Sequence, residues 1–234
     1  MLAMANSINT HKVRYDDYCM NITTNCSVPV VPKATLKSPK FYYKIENFYG
    51  NHRNFIKSRS YAQLRGSSDY SIGDCDPIKK NKDINTVLPN INGATLDGNA
   101  DANPCGLIAK NYFNDNFWLY DSSGNNITID DSSIAHSVDR NSRFERPSNY
   151  EDVQWLDTED EHLMVWYQTD AFSDFIKLFG SIDTDLQKGM SYSVLVNNTW
   201  GDPSFDTKKY IFISETNSFG GDNITFGVLY ITAG

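Results

Sequence analysis

Hydrophobic and polar positions alternate most regularly over residues 191–199, SYSVLVNNT, where Tyr192, Val194 and Val196 recur at every second place. A two-residue period sends successive side chains to opposite faces of an extended chain, so the segment predicts a half-buried strand. Further stretches rich in Tyr, Phe, Val, Ile and Thr predict strands at 40–45, 117–121, 162–169, 208–216 and 224–233. Helical expectations are short: 48–60, 107–113 and 170–179, the last opening on Asp170 and stopping at Gly180. Many strands, few helices and no strand–helix–strand rhythm predict an all-β fold: an antiparallel β-sandwich or jelly-roll-like domain with short helical insertions.

Loop-forming residues divide the chain. Residues 1–35 are polar, are interrupted by Pro29 and Pro32, and read as an extended N-terminal segment. Residues 36–234 read as a single β-sandwich domain. Within it, 73–104 carries Asn, Asp, Gly and Pro at loop density, an unusual length for a compact domain. Cys75 and Cys105 flank this loop, and Cys19 and Cys26 lie close together in the N-terminal segment. An even cysteine count in so loop-rich a chain suggests two disulfides. The simplest of the three connectivities joins Cys19 to Cys26 and Cys75 to Cys105, and the other two stay open. On the loop-entropy argument those bridges contribute about 2.5 and about 3.7 kcal/mol. A zinc site is the weaker reading, because no C-x-x-C spacing occurs and His11, His52, His136 and His162 are scattered.

Composition narrows the function. The 234 residues carry a net charge of −8, which argues against a general nucleic-acid binder. The longest apolar run, FGVLYITA, is far short of the roughly 20 residues of a membrane helix. One segment departs from the acidic balance: YYKIENFYGNHRNFIKSRSYAQLRG, residues 42–66, interleaves aromatics with His52, Arg53, Lys57, Arg59 and Arg65. No nucleophile elbow, metalloprotease helix, phosphate-binding loop or dinucleotide fingerprint is present, and no cofactor is implied. HSVD (136–139) is no triad by adjacency, and DTEDEH (157–162) and SIDTD (181–185) lack the glycine and closing Glu of a calcium loop. Glycosylation sequons stand at Asn21, Asn25, Asn126, Asn197 and Asn223, close to the number chance gives. Disulfides imply an oxidising compartment, yet MLAMANSINTHK lacks the apolar core of a signal peptide. Either the thiols are free and the protein cytosolic, or the chain is a fragment separated from its membrane anchors; the second reading is preferred.

Five blocks in order carry a resemblance: YYKIENFYGNHRNFIKSRSYAQLRG, DCDP, NPCGLIAKNYFND, EHLMVWYQTDAFSDFIKLFG and GGDNITFGVLYITAG, spanning residues 42–234. The chain resembles the lumenal domain of the non-catalytic β-subunit of phospholipid flippases, the ligand-effect-modulator or cell-division-control-fifty family. That resemblance implies no enzymatic activity of its own and a type-IV P-type ATPase catalytic subunit as partner. It also implies support of that partner's folding, its exit from the endoplasmic reticulum and phospholipid translocation. Flanking membrane helices absent from this chain would place the domain on the lumenal or extracellular side of the endoplasmic reticulum, Golgi or plasma membrane. Cys75 and Cys105, in DCDP and NPCG, match the family pattern, while the region of Cys19 and Cys26 departs from it. His52, Arg53, Lys57 and Arg59 become partner-contact candidates, with acidic loops of the pump or phospholipid headgroups as their counterparts. The rival reading from another class is a secreted carbohydrate-binding β-sandwich, which a sugar array would distinguish.

Overall fold

The computed structural model describes residues 8–20, 25–201 and 206–216. Nine strands are present among them: β1 (Thr10–Arg14), β2 (Cys26–Val30), β3 (Lys40–Glu46), β4 (Asn116–Tyr120), β5 (Asn126–Ile127), β6 (Ile129–Asp130), β7 (Phe175–Ile182), β8 (Tyr192–Asn197) and β9 (Lys208–Ser214). They form two antiparallel sheets, a five-stranded one in the order β1-β9-β3-β7-β6 and a four-stranded one in the order β2-β8-β4-β5. Six short helices sit in the connections: α1 (Arg53–Lys57), α2 (Tyr61–Leu64), α3 (Asn81–Ile84), α4 (Leu107–Lys110), α5 (Tyr150–Val153) and α6 (Glu161–Tyr167). The fold is the expected all-β sandwich. The segment before residue 36 supplies one strand to each sheet, β1 beside β9 and β2 beside β8. The stretch 224–233 lies outside the described residues.

Alternation builds the core. In β3, Phe41, Tyr43 and Ile45 are buried while Tyr42 and Lys44 are only half-covered, and β8 buries Tyr192, Val194 and Val196 in the same way. The inward faces meet on Phe117 of β4, whose ring lies 5.2 Å from Phe41, 5.0 Å from Phe179 and 5.5 Å from Tyr15. Offset and edge-on aromatic packing of this kind adds about 0.5–1.5 kcal/mol per pair beyond area burial. A buried polar knot ties the sheets together. Lys209 of β9 reaches the Asp115 carboxylate at 2.7 Å, and that carboxylate also accepts from the Tyr15 hydroxyl and the backbone amides of Thr199 and Trp200, each at 2.6 Å. Every lone pair of the buried Asp115 therefore has a donor, which offsets the cost of taking its charge out of water.

Two expectations fail for related reasons. Residues 162–169 are not a strand but most of α6, started by the Asp160 carboxylate, which accepts from the His162 amide at 2.9 Å. Leu163 to Tyr167 are all buried, so the run shows no polar face and carries no helical period. Residues 170–179 are not a helix; the strand β7 begins at Phe175. Its inner face holds Phe175, Lys177 and Phe179 while Ile176 and Leu178 face outward, so a buried lysine inverts the pattern a strand should show. Lys177 is paired with Asp170 at 2.8 Å. The pairing with β3 slips between Phe41 and Tyr42, so Phe179 and Gly180 are buried in succession, as at a β-bulge. The helix expected over 48–60 is reduced to α1, followed by α2, and the one over 107–113 to α4.

Candidate functional site

Basic residues and cysteines meet at one end of the sandwich, where the long loop is stapled. Cys75 pairs with Cys105 and Cys19 with Cys26, and no cysteine is free. Around the first bridge the contacts are dense. The Gln63 side chain of α2 donates to the Ala102 carbonyl at 2.9 Å and accepts from the Cys105 amide at 3.0 Å. The Ser58 hydroxyl lies 2.7 Å from the Asp76 carbonyl and accepts from the Leu107 amide at 2.9 Å. The Trp155 indole donates to the Pro104 carbonyl at 2.8 Å. The two ends of the loop are thus pinned beside the bridge to α2, the turn after α1 and the segment after α5.

The basic segment rests on this staple. His52, Arg53 and Lys57 are exposed, and His52 caps α1 by accepting the Asn54 amide on Nδ1 at 3.3 Å. Phe48 is the inward anchor, its ring 5.4–5.8 Å from Phe55, Trp166 and Trp200. Tyr49 is 69% exposed, because Phe48 already fills the aromatic pocket beside it. Three hydrogen bonds tie this segment to residues 171–174: Phe48 N to Ser173 O, Asn47 N to Asp174 Oδ1, and Asn51 Nδ2 to Ala171 O. The adjoining loop presents Phe172, 74% exposed. Two uncovered aromatics and a basic helix therefore share one supported tip. No sequence signal pointed to Phe172, since the segment around it read as helix.

Arg59 does not belong to that exposed set. It is half-buried, its guanidinium lying 4.9 Å from the Tyr61 ring and donating to the Tyr167 carbonyl at 3.4 Å. It lines a cavity with α2, the π-helical turn Asp139–Arg143 and the end of α6. Of the sequons, Asn25 and Asn126 are exposed, Asn197 is half-buried opposite Asn116, and Asn21 and Asn223 lie outside the described residues. The acidic runs serve structure: Asp157 is held by Arg146, and Glu161 accepts the Ser133 and Ala135 amides. Among the described residues no group of three or more His, Cys, Asp or Glu is placed to hold a metal, and no helix is long and apolar enough to cross a membrane.

The family model described as LEM3 (ligand-effect modulator 3) family / CDC50 family matches residues 2–234. The chain belongs to this family. It is 33% identical to ALA-interacting subunit 3 of Arabidopsis thaliana, over 96% of the chain and 63% of that protein. To Cell cycle control protein 50A of Mus musculus it is 29% identical, over 92% of the chain and 66% of that protein. The chain thus spans a little under two thirds of each relative's length. The five blocks that carried the resemblance lie within the matched span.

Proposed function

We propose that the chain is the lumenal domain of a non-catalytic flippase β-subunit. It binds a type-IV P-type ATPase, supports that partner's folding and exit from the endoplasmic reticulum, and sustains phospholipid translocation. Family membership is the observation that carries the reading, and a relative named as an interacting subunit agrees with it. Two disulfides favour the lumenal or extracellular side. The tip bearing Tyr49, Phe172, His52, Arg53 and Lys57 is the proposed contact, since exposed aromatic and arginine side chains on a rigid support are the usual anchors of an interface. Arg59 faces the cavity and lies apart from that surface.

The test is co-immunoprecipitation of the ATPase with the full-length Arg53→Glu/Lys57→Glu variant. Both side chains are exposed, so stability should change by no more than about 0.5 kcal/mol. Recovery of the ATPase should fall, most steeply at low salt, where surface charge is least screened. Undiminished recovery with normal export would place the contact elsewhere.

A further inference from the structure

The two sheets differ in what they show to solvent. The strands of the four-stranded sheet, CSVPV, YSVLVN, NFWLY and NI, hold no charged residue, although Lys, Arg, Asp and Glu make up 21% of the chain. The other sheet, by contrast, carries Lys12, Lys44 and Glu46 on its outer face, joined in ion pairs. Asn116, Trp118 and Tyr120 point outward from β4, since Phe117 and Leu119 between them are buried. Trp118 is 38% exposed, and the other three tryptophans are half-buried or buried. An uncovered, uncharged sheet face that displays an aromatic ring invites association. All three sequon asparagines among the described residues belong to this side of the molecule: Asn25 directly before β2, Asn126 on β5 and Asn197 at the end of β8. The register fixes their neighbours. Asn126 stands opposite Tyr120, and Asn197 opposite Asn116. Trp118 is therefore the diagonal neighbour of both, at about 7–8 Å, which a large side chain can span. Asn126 and Trp118 also border one cleft of about 280 Å³, opened where the chain crosses from β5 in one sheet to β6 in the other.

We propose that Trp118 and Tyr120 form a carbohydrate seat, taken by the innermost sugars of an N-linked glycan on Asn126. A pyranose ring gathers C–H groups on one face, which pack against an aromatic ring while the hydroxyls stay in water. A neutral sugar needs no counter-charge, and this face offers none. Covalent attachment supplies the selectivity, because the tether holds the sugar beside the ring at high effective concentration. Asn126 takes precedence over Asn197 because it is exposed, whereas Asn197 is half-buried. The seated glycan covers the apolar ring and keeps this face in solvent. The seat is independent of the ATPase contact, and its test needs no ATPase.

The experiment uses the 234-residue chain exported from a glycosylating host behind a cleavable signal peptide. Acrylamide quenching of tryptophan fluorescence is measured before and after peptide-N-glycosidase treatment of the folded protein. Removing the glycan should increase quenching in the wild type and leave Trp118→Val unchanged. A thermal double-mutant cycle is the second arm. Asn126→Gln should lower the unfolding midpoint by about 2–4 °C in the wild type and by nothing measurable beside Trp118→Val. Trp118→Val places a strand-favouring residue at an exposed position, so the fold is kept. Falls of equal size in the two backgrounds, zero included, overturn the seat, because the glycan would then act without touching the ring. Unchanged quenching in the wild type does the same, as does a peptide map with no glycan at Asn126. Coupling of Trp118 to Asn197→Gln alone also overturns the assignment, since the other glycan would then hold the ring.

Discussion

Gly106 shows how much a single position can decide. Its φ of +101° is one that side-chain-bearing residues rarely adopt, and an added Cβ would stand 2.0 Å from the Ser58 carbonyl oxygen. The backbone therefore passes between the staple and α1 only because no side chain is there. Gly106→Ala should cost roughly 2–4 kcal/mol in urea unfolding, from strain and steric displacement together. Glu46 makes a second case. Burial alone would raise its pKa, but hydrogen bonds from Lys44, Tyr210 and Lys12 outweigh it and bring the carboxyl down to about 2 from 4.5. The folded value lies below the unfolded one, so the stabilisation is complete above pH 4.5 and is lost as pH falls towards 2. Wild-type stability should decline across that window, and Glu46→Gln should remove this part of the decline when unfolding midpoints are compared. The sequence announced Gly106 only as part of a Pro-Cys-Gly corner, and Glu46 not at all, since its partners come from β1, β3 and β9.

At the scale of elements, legibility followed the period. β3 and β8 were readable from alternation, with Phe41, Tyr43 and Ile45 or Tyr192, Val194 and Val196 at every second place, whereas β4 and β9 were readable from aromatic and β-branched content. β7 was misread because Lys177 occupies an inner position, and α6 because burial on all sides erased its polar face. Neither Lys177 nor Asp170 is explained by its neighbours in sequence; the pair makes sense only once β7 and the end of α6 are brought together. Burial lowers the Lys177 pKa and raises that of Asp170, with their mutual attraction opposing both shifts. Asp170→Ala should strand a buried ammonium and cost about 3 kcal/mol, whereas adding Lys177→Met should recover most of the loss in a double-mutant cycle. The 75–105 loop responds to its covalent tie. Cys105→Ser should lower stability by roughly 2–5 kcal/mol, measured with the partner thiol blocked. The loop's existence and its bridge were legible from composition and cysteine count, while the Gln63, Ser58 and Trp155 hydrogen bonds that shape it were not.

For the molecule as a whole, the two-sheet class could be read but not the order of strands. β1 and β2 are five-residue strands in a stretch whose prolines and polar residues suggested no sheet, and their partners lie more than 160 residues away. The placement of the candidate contact on one tip was likewise invisible, because one of its two exposed aromatics comes from residue 172. Surface position also sets what can be decorated. Asn126 lies exposed on β5, the outer strand of its sheet, so material from a glycosylating host should carry glycan there, and Asn126→Gln should remove one glycosidase-sensitive mass increment. The outermost pairing of the other sheet has a mechanical side. Asn9 and Glu215 are bound to each other through backbone and side chain, at the same end of the antiparallel β1–β9 ladder. Tension that separates those two residues would act across the ladder rather than along it, opening it rung by rung like a zipper from Thr10 and Ser214. The slider would halt at Tyr15, wholly buried and fastened to Asp115, so a pull on Asn9 and Glu215 should peel away one short strand at low force and leave both sheets standing.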